Sequence, residues 1–265
     1  MFVNEPVSLG NSSRTINFNF MKKLTRLLAI ALAIGISYPL SAQVGQLEIT
    51  HLSGDFYVYT TYRLLGGKPY PSNSMYVVTR KGVVLIDTPW DSTEFQPLLD
   101  SIEVRHHKKA VLCIATHFHD DRTAGLAYFQ QKGIKTYSSA YTRQLCAANN
   151  EKQAEYTFSK DTSFTVGNHT FQTFYPGEGH TKDNIVIWFD KEKVLYGGCI
   201  IKSSEVDDLG NVADANVAQW PISIQNVMEK FKDPAYIIPG HLSYAGTASL
   251  AHTLQLLEQH EKKGN

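Results

Sequence analysis

The stretch ATHFHDDRTAG, residues 115–125, places His117, His119, Asp120 and Asp121 within five positions, with Arg122 next. Imidazole nitrogen and carboxylate oxygen are ligands for borderline-soft divalent metals, zinc foremost, so this spacing reads as half of a metal site. Three more candidates lie downstream: His180 in GEGHTKDN, Cys199 in YGGCIIKS and His241 in IIPGH. Each candidate follows an apolar strand-like run or a glycine-bearing loop, where the backbone can turn a side chain into a shared cleft. Six protein ligands exceed one tetrahedral ion and suit two, with a position left open for water. The other histidines, His51, His106, His107, His169, His252 and His260, read as solvated or hydrogen-bonded residues, with RHHKK an exposed loop. Asp120 reads as a loop-supporting carboxylate.

Elements of two similar halves must position these groups. FYVYTTYRL and SMYVVTRKGVVLIDT have strand composition, with Lys81-Gly82 a turn between two strands. DSTEFQPLLDSIEV predicts a helix, Asp91 and Glu94 being spaced as a capping box and Pro97 falling near the first turn. KAVLCIAT is a buried strand and TAGLAYFQQKG a short helix ending at Gly133. The second half repeats the scheme, with strands around Gly167-Asn168, a hairpin NIVIWFDKEKVLYGG, a helix from near Pro221 and strand AYIIPG. A C-terminal helix carries Leu250, Leu254 and Leu257. No linker separates the halves, and an αββα sandwich of two pseudo-symmetric halves is the simplest packing of that order.

Composition bounds the rest. A chain of 265 residues with 43% hydrophobic content has ample material for one core. From Met21, MKKLTRLLAIALAIGISYPLSAQ has the basic start, apolar run and small-residue exit of a signal peptide over residues 21–42; residues 1–20 read as an upstream extension and 43–265 as one domain. The whole chain has 25 basic and 25 acidic residues; subtracting the leader's four basic and one acidic leaves 21 against 24, a net of −3. There is no basic excess to recruit nucleic acid, and the expected product is an exported, periplasmic protein without a stable membrane anchor. Of three cysteines, Cys113 and Cys146 read as structural, while Cys199, after two glycines at a strand end, can present a thiolate to a cleft.

THFHDDRTAG resembles the HxHxD signature of the metallo-β-lactamase superfamily. The later His180, Cys199 and His241 segments resemble its di-zinc class B β-lactamases, and the likeness extends over GVVLIDTPW and LGNVADANVAQWP. Hydroxyacylglutathione hydrolases and nucleases of the superfamily read HxHxDH with a later bridging aspartate; here Arg122 and Cys199 occupy those places. The resemblance implies two zinc ions, one on His117, His119 and His180, the other on Asp121, Cys199 and His241. It implies a zinc-held hydroxide, oriented by Asp121, that hydrolyses penicillins, cephalosporins and carbapenems in a monomeric enzyme. Lys202 would meet the substrate carboxylate and Asn211 its carbonyl. A mobile hairpin over residues 61–74 would close over the substrate with Leu64 and Leu65 at its tip. Asp87 would hydrogen-bond the site from below, and Arg122 would favour the ionised forms of Asp121 and Cys199. A thioester hydrolase and a zinc-buffering protein are the competing readings.

Overall fold

Alternation along one strand sets the layering. In FYVYTTYRLL, Phe56 and Val58 point into one apolar cluster while Tyr57 and Tyr59 point into another, as the two-residue period of a strand buried on both faces requires. In a computed structural model of the chain, residues 1, 47–159 and 161–264 are described; the expectations placed on residues 2–42 lie outside them.

A seven-stranded sheet contains β1 (Glu48–Ser53), β2 (Phe56–Leu65), β3 (Lys68–Thr79), β4 (Gly82–Ile86), β5 (Ala110–Ile114), β6 (Lys135–Ser139) and β7 (Tyr156–Phe158), in that order. The first four pair antiparallel and the last three join in parallel. Parallel neighbours need crossovers, which α1 (Phe95–His106), α2 (Asp120–Thr123), α3 (Leu126–Gln131) and α4 (Ala140–Ala148) supply. The second sheet runs β8 (Ser163–Val166), β9 (His169–Phe174), β10 (Val186–Phe189), β11 (Val194–Gly198) and β12 (Tyr236–Pro239), the last parallel to β11. The crossover α5 (Trp220–Lys230) and the terminal α6 (Ser249–Gly264) complete it. Three apolar clusters fill the gaps between four layers. Val58, Met75, Ile86, Ile187, Tyr196 and Ile238 lie between the sheets; Phe95, Leu98 and Phe129 join helices to the first sheet; Trp220, Ile224 and Leu257 join helices to the second. The αββα expectation holds, with halves of unequal strand number.

One local expectation is sharpened, two are corrected, and three strands join those expected. The hairpin expected over residues 61–74 forms, and its arms are continuous strands: β2 and β3 stay in register out to Leu65↔Lys68, and only Gly66-Gly67 turn, both at positive φ, which suits the twist of a tight hairpin. Asp91 caps the Ser92–Glu94 turn by accepting from Thr93 N at 2.8 Å, but Glu94 does not return the bond. Burial drives the Glu94 carboxyl up to about 7 instead. Arg105 and His106 of RHHKK close α1 rather than lying in a loop, and His106 Nε2 meets the Tyr76 hydroxyl at 2.9 Å. Strands β1, β6 and β7 were not foreseen, being short and rich in polar residues.

Candidate metal centre

Six side chains converge where the strands of both sheets end. His117 follows β5, and His119, still extended at φ −62°, ψ 152°, starts the one-turn helix that carries Asp121 and Arg122. His180 lies on the loop between β9 and β10. Cys199 and His241 follow β11 and β12, whose parallel register sets Gly198 opposite Pro239 and so brings the next residues side by side. Gly240 has to be glycine: a Cβ there would lie 2.6 Å from Cys199 Sγ and 2.7 Å from Arg122 Nη2.

Potential ligand atoms form three overlapping groups, His117–His180–Cys199, His117–His119–Asp121 and Asp121–Cys199–His241, each within 4.8 Å. His119 Nδ1 is 3.2 Å from His180 Nε2. His241 Nε2 is 3.2 Å from Asp121 Oδ2 and 3.3 Å from Cys199 Sγ. His117 Nε2 is buried with no hydrogen-bond partner, a costly state for a polar atom that an ion would relieve, and the facing His119 Nδ1 and His180 Nε2 lie close enough to share one ion. The donor set of imidazole, thiol and carboxylate therefore fits zinc.

Electrostatics favour the same occupant. Burial pushes His117, His180 and His241 below the ordinary histidine range, so each imidazole is neutral with a lone pair to offer. Burial opposes the charge on Asp121, yet the adjacent Arg122 guanidinium holds its carboxyl well below the usual range. Burial also pushes the Cys199 thiol up to about 12, against the pull of Arg122.

Arg122 is fully buried and distributes its fork over the site floor. Nη2 lies 2.9 Å from Asp121 Oδ2 and donates to Cys199 Sγ at 3.0 Å and Gly240 O at 2.8 Å; Nη1 donates to Asn73 O at 2.6 Å and the Tyr196 hydroxyl at 3.1 Å. Asp87 sits beneath it, 3.6 Å from Nη1, accepting from Thr116 N and Oγ1 and from the Tyr196 hydroxyl. Burial raises its carboxyl to about 6 despite Arg122. Its positive φ of 65°, unusual for aspartate, is held by those bonds.

A cavity of about 570 Å³ opens over these groups, with Leu65, Tyr70, Trp90, Lys202 and Asn211 on its walls. Leu64 and Leu65 are half exposed at the hairpin tip. Lys202 holds its ammonium 5.3 Å from the centre of the Trp220 ring. Burial lowers its pKa, an effect that Cys199, Asp121 and Asp208 oppose. Asn211 Oδ1 accepts from Ala213 N at 3.0 Å, leaving its amide hydrogens for a ligand. Sequence reading missed Asp214, whose Oδ2 is 3.0 Å from His119 Nε2. The VADAN segment that carries it holds no periodic or spacing signal to tie it to a histidine 95 positions earlier.

Residues 67–241, a span holding all six converging side chains, match the family described as the metallo-beta-lactamase superfamily. The chain belongs to that superfamily. Among its metallo-beta-lactamase relatives, a type 2 enzyme of Elizabethkingia meningoseptica is 43% identical over 92% of this chain and 98% of its own. IND-1 of Chryseobacterium indologenes is 40% identical over 90% of this chain and 100% of its own. The metallo-beta-lactamase IND-7 crystal structure superposes with a TM-score of 0.78 at 41% identity, covering 82% of this chain and all of that one. A Pontibacter korlensis metallo-beta-lactamase also reaches 0.78, at 35% identity over 80% of this chain and 99% of its own.

Proposed function

We propose that this chain is an exported di-zinc β-lactamase that opens the ring amide of penicillins, cephalosporins and carbapenems and so confers resistance to them. The convergence of six ligand-type side chains, with the buried His117 Nε2 lacking a partner, is the observation that carries the reading. His117, His119 and His180 would hold one zinc, and Asp121, Cys199 and His241 the other. Bound zinc supplies a water acidified from a pKa of about 15.7 to about 7 and positive charge against the developing oxyanion.

The chain's own residues do the rest. Asp121, kept ionised by Arg122, offers a carboxylate oxygen that accepts a hydrogen bond from the attacking water and orients it. Asp214 fixes the ring of His119 from behind, the usual task of a carboxylate paired with a ligating imidazole. The Lys202 ammonium attracts the substrate carboxylate, Asn211 donates its amide hydrogen to the substrate carbonyl, and Leu65, which lines the cavity where Leu64 on the opposite strand face does not, covers the apolar side and excludes water.

Nitrocefin and a carbapenem should be hydrolysed by the mature protein, with activity abolished by EDTA and restored by zinc. Faster turnover of an acylglutathione thioester, or no turnover by zinc-loaded protein, would overturn the reading. Lys202→Ala should raise KM for carboxylate-bearing β-lactams by roughly tenfold or more, the worth of a charge-assisted bond, with a smaller change in kcat. Steady-state kinetics showing an unchanged KM would remove Lys202 from substrate binding.

The periplasmic assignment rests on the leader read over residues 21–42. No helix among the described residues is long and apolar enough to cross a membrane. Of the two proposed ligand sets, Asp121, Cys199 and His241 lie within 4.8 Å of one another, and the rings of His117, His119 and His180 meet pairwise at 4.9–5.2 Å; all six residues come from one chain, which supports a monomer built from one domain over residues 43–265.

A further inference from the structure

The hairpin of β2 and β3 outruns its neighbours. β1 pairs with β2 only as far as Thr60, and β4 pairs with β3 only from Met75 inward. Residues 61–72 therefore extend as a two-stranded ribbon of five rungs up to the turn, roughly 17 Å long, and such a ribbon has marginal stability by itself. What fixes it must be contacts to the rest of the site.

Those contacts end at one rung, Arg63 opposite Tyr70. Arg63 forms an ion pair with Asp120, and its guanidinium lies 5.3 Å from the centre of the Trp90 ring. Trp90 is itself tied down: its indole N–H donates to Asp120 at 3.0 Å and its backbone N–H to Thr61 Oγ1 at 3.2 Å. On the other strand, the Tyr70 ring is 5.1 Å from that of His241, and Pro71 O is 2.8 Å from His241 Nδ1. Beyond this rung, Leu64, Leu65, Lys68 and Pro69 make no side-chain hydrogen bond or ion pair among the described residues. Arg63 and Leu65, two positions apart, share the strand face turned to the cavity, and Leu65 lines it.

We propose that Arg63, Asp120 and Trp90 form a latch that fixes the hairpin to the metal loop and sets how far Leu65 overhangs the cavity, making Arg63 and Asp120 positioning residues for bulky substrates. Both members of the ion pair are partly exposed, so the latch is weak enough to open and is sensitive to salt. With it open, β2 is free from Arg63 outward while β3 stays held at Tyr70 and Pro71 by His241, and Leu65 loses its fixed place. The substrate consequence rests on the β-lactamase reading; the latch itself does not.

The test uses the full mature chain with Arg63→Ala, with Asp120→Asn and with the exchanged pair R63D/D120R. Amide hydrogen exchange at Leu64–Lys68 should quicken about three- to tenfold in each single variant, the worth of an exposed ion pair with a cation–π contact, and return toward the parent in the exchanged pair. Concentrated NaCl should quicken exchange in the parent but not in Arg63→Ala. KM for β-lactams with bulky side chains should rise by a similar factor, more than kcat falls and more than KM for small ones. Unchanged exchange in both single variants overturns the latch, as does a parallel loss of kcat and zinc, which would assign these contacts to support of the metal loop. Exchange is read without substrate, so a protein that hydrolyses no β-lactam still decides the latch, and an active enzyme with unaltered exchange sinks the latch alone.

Discussion

Replacing Arg122 by alanine should unfold the floor of the site. The side chain has no exposure, and its fork meets the Asp121 carboxylate, the Cys199 sulfur and two backbone carbonyls, with Asp87 3.6 Å away. Removing one partner of a buried charge pair leaves the other uncompensated and costs about 3–5 kcal/mol. At 2–4 °C per kcal/mol for a domain of this size, the metal-free protein should melt roughly 6–20 °C lower. Arg122→Lys should recover only part, since one ammonium cannot reproduce a planar fork aimed at both Asp121 and Cys199. Thermal unfolding of the metal-free variants makes the comparison, and a melting temperature within a degree or two of the parent for alanine would contradict it.

The second large effect belongs to Cys199. Cys199→Ser should weaken the zinc proposed on Asp121, Cys199 and His241 by more than the roughly 10–100-fold lost with an outer-shell partner, while sparing the zinc on the three histidines. A zinc titration should therefore split into one tight and one weak event, and equal weakening of both would refute the assignment. The pH dependence has a definite sign. Burial places the metal-free thiol at about 12, so zinc must displace its proton throughout the neutral range. Affinity at that site should rise about tenfold per pH unit between pH 7 and 9, and the serine variant, with no thiol proton to displace, should lose that slope. The histidines add nothing to the slope there, because burial already keeps them neutral.

Strands with long apolar runs, such as those before His117, Cys199 and His241, were legible in the sequence because burial on both faces leaves a continuous hydrophobic signature. The short strands KTYSS and YTF were not, because they earn their place by parallel pairing with an existing edge rather than by composition. Half of the capping pattern at Asp91 formed, and Glu94 was instead drawn toward the core. Around the site, residue types and spacing announced the candidates, whereas Asp214 behind His119 and Arg63 beside Asp120 depend on segments meeting across 95 and 57 positions. Asp120 itself, read as a loop-supporting carboxylate, is bonded to Trp90 and Arg63.

The two sheets contribute evenly to the cleft. His117, His119 and Asp121 hang from the first, and His180, Cys199 and His241 from the second. Each proposed ion would thus be a rivet through both layers, resisting their sliding or parting as no single hydrogen bond at the rim can. Pulled along the direction that shears one sheet past the other, the loaded protein would be mechanically stiff at this end and soft at the opposite one.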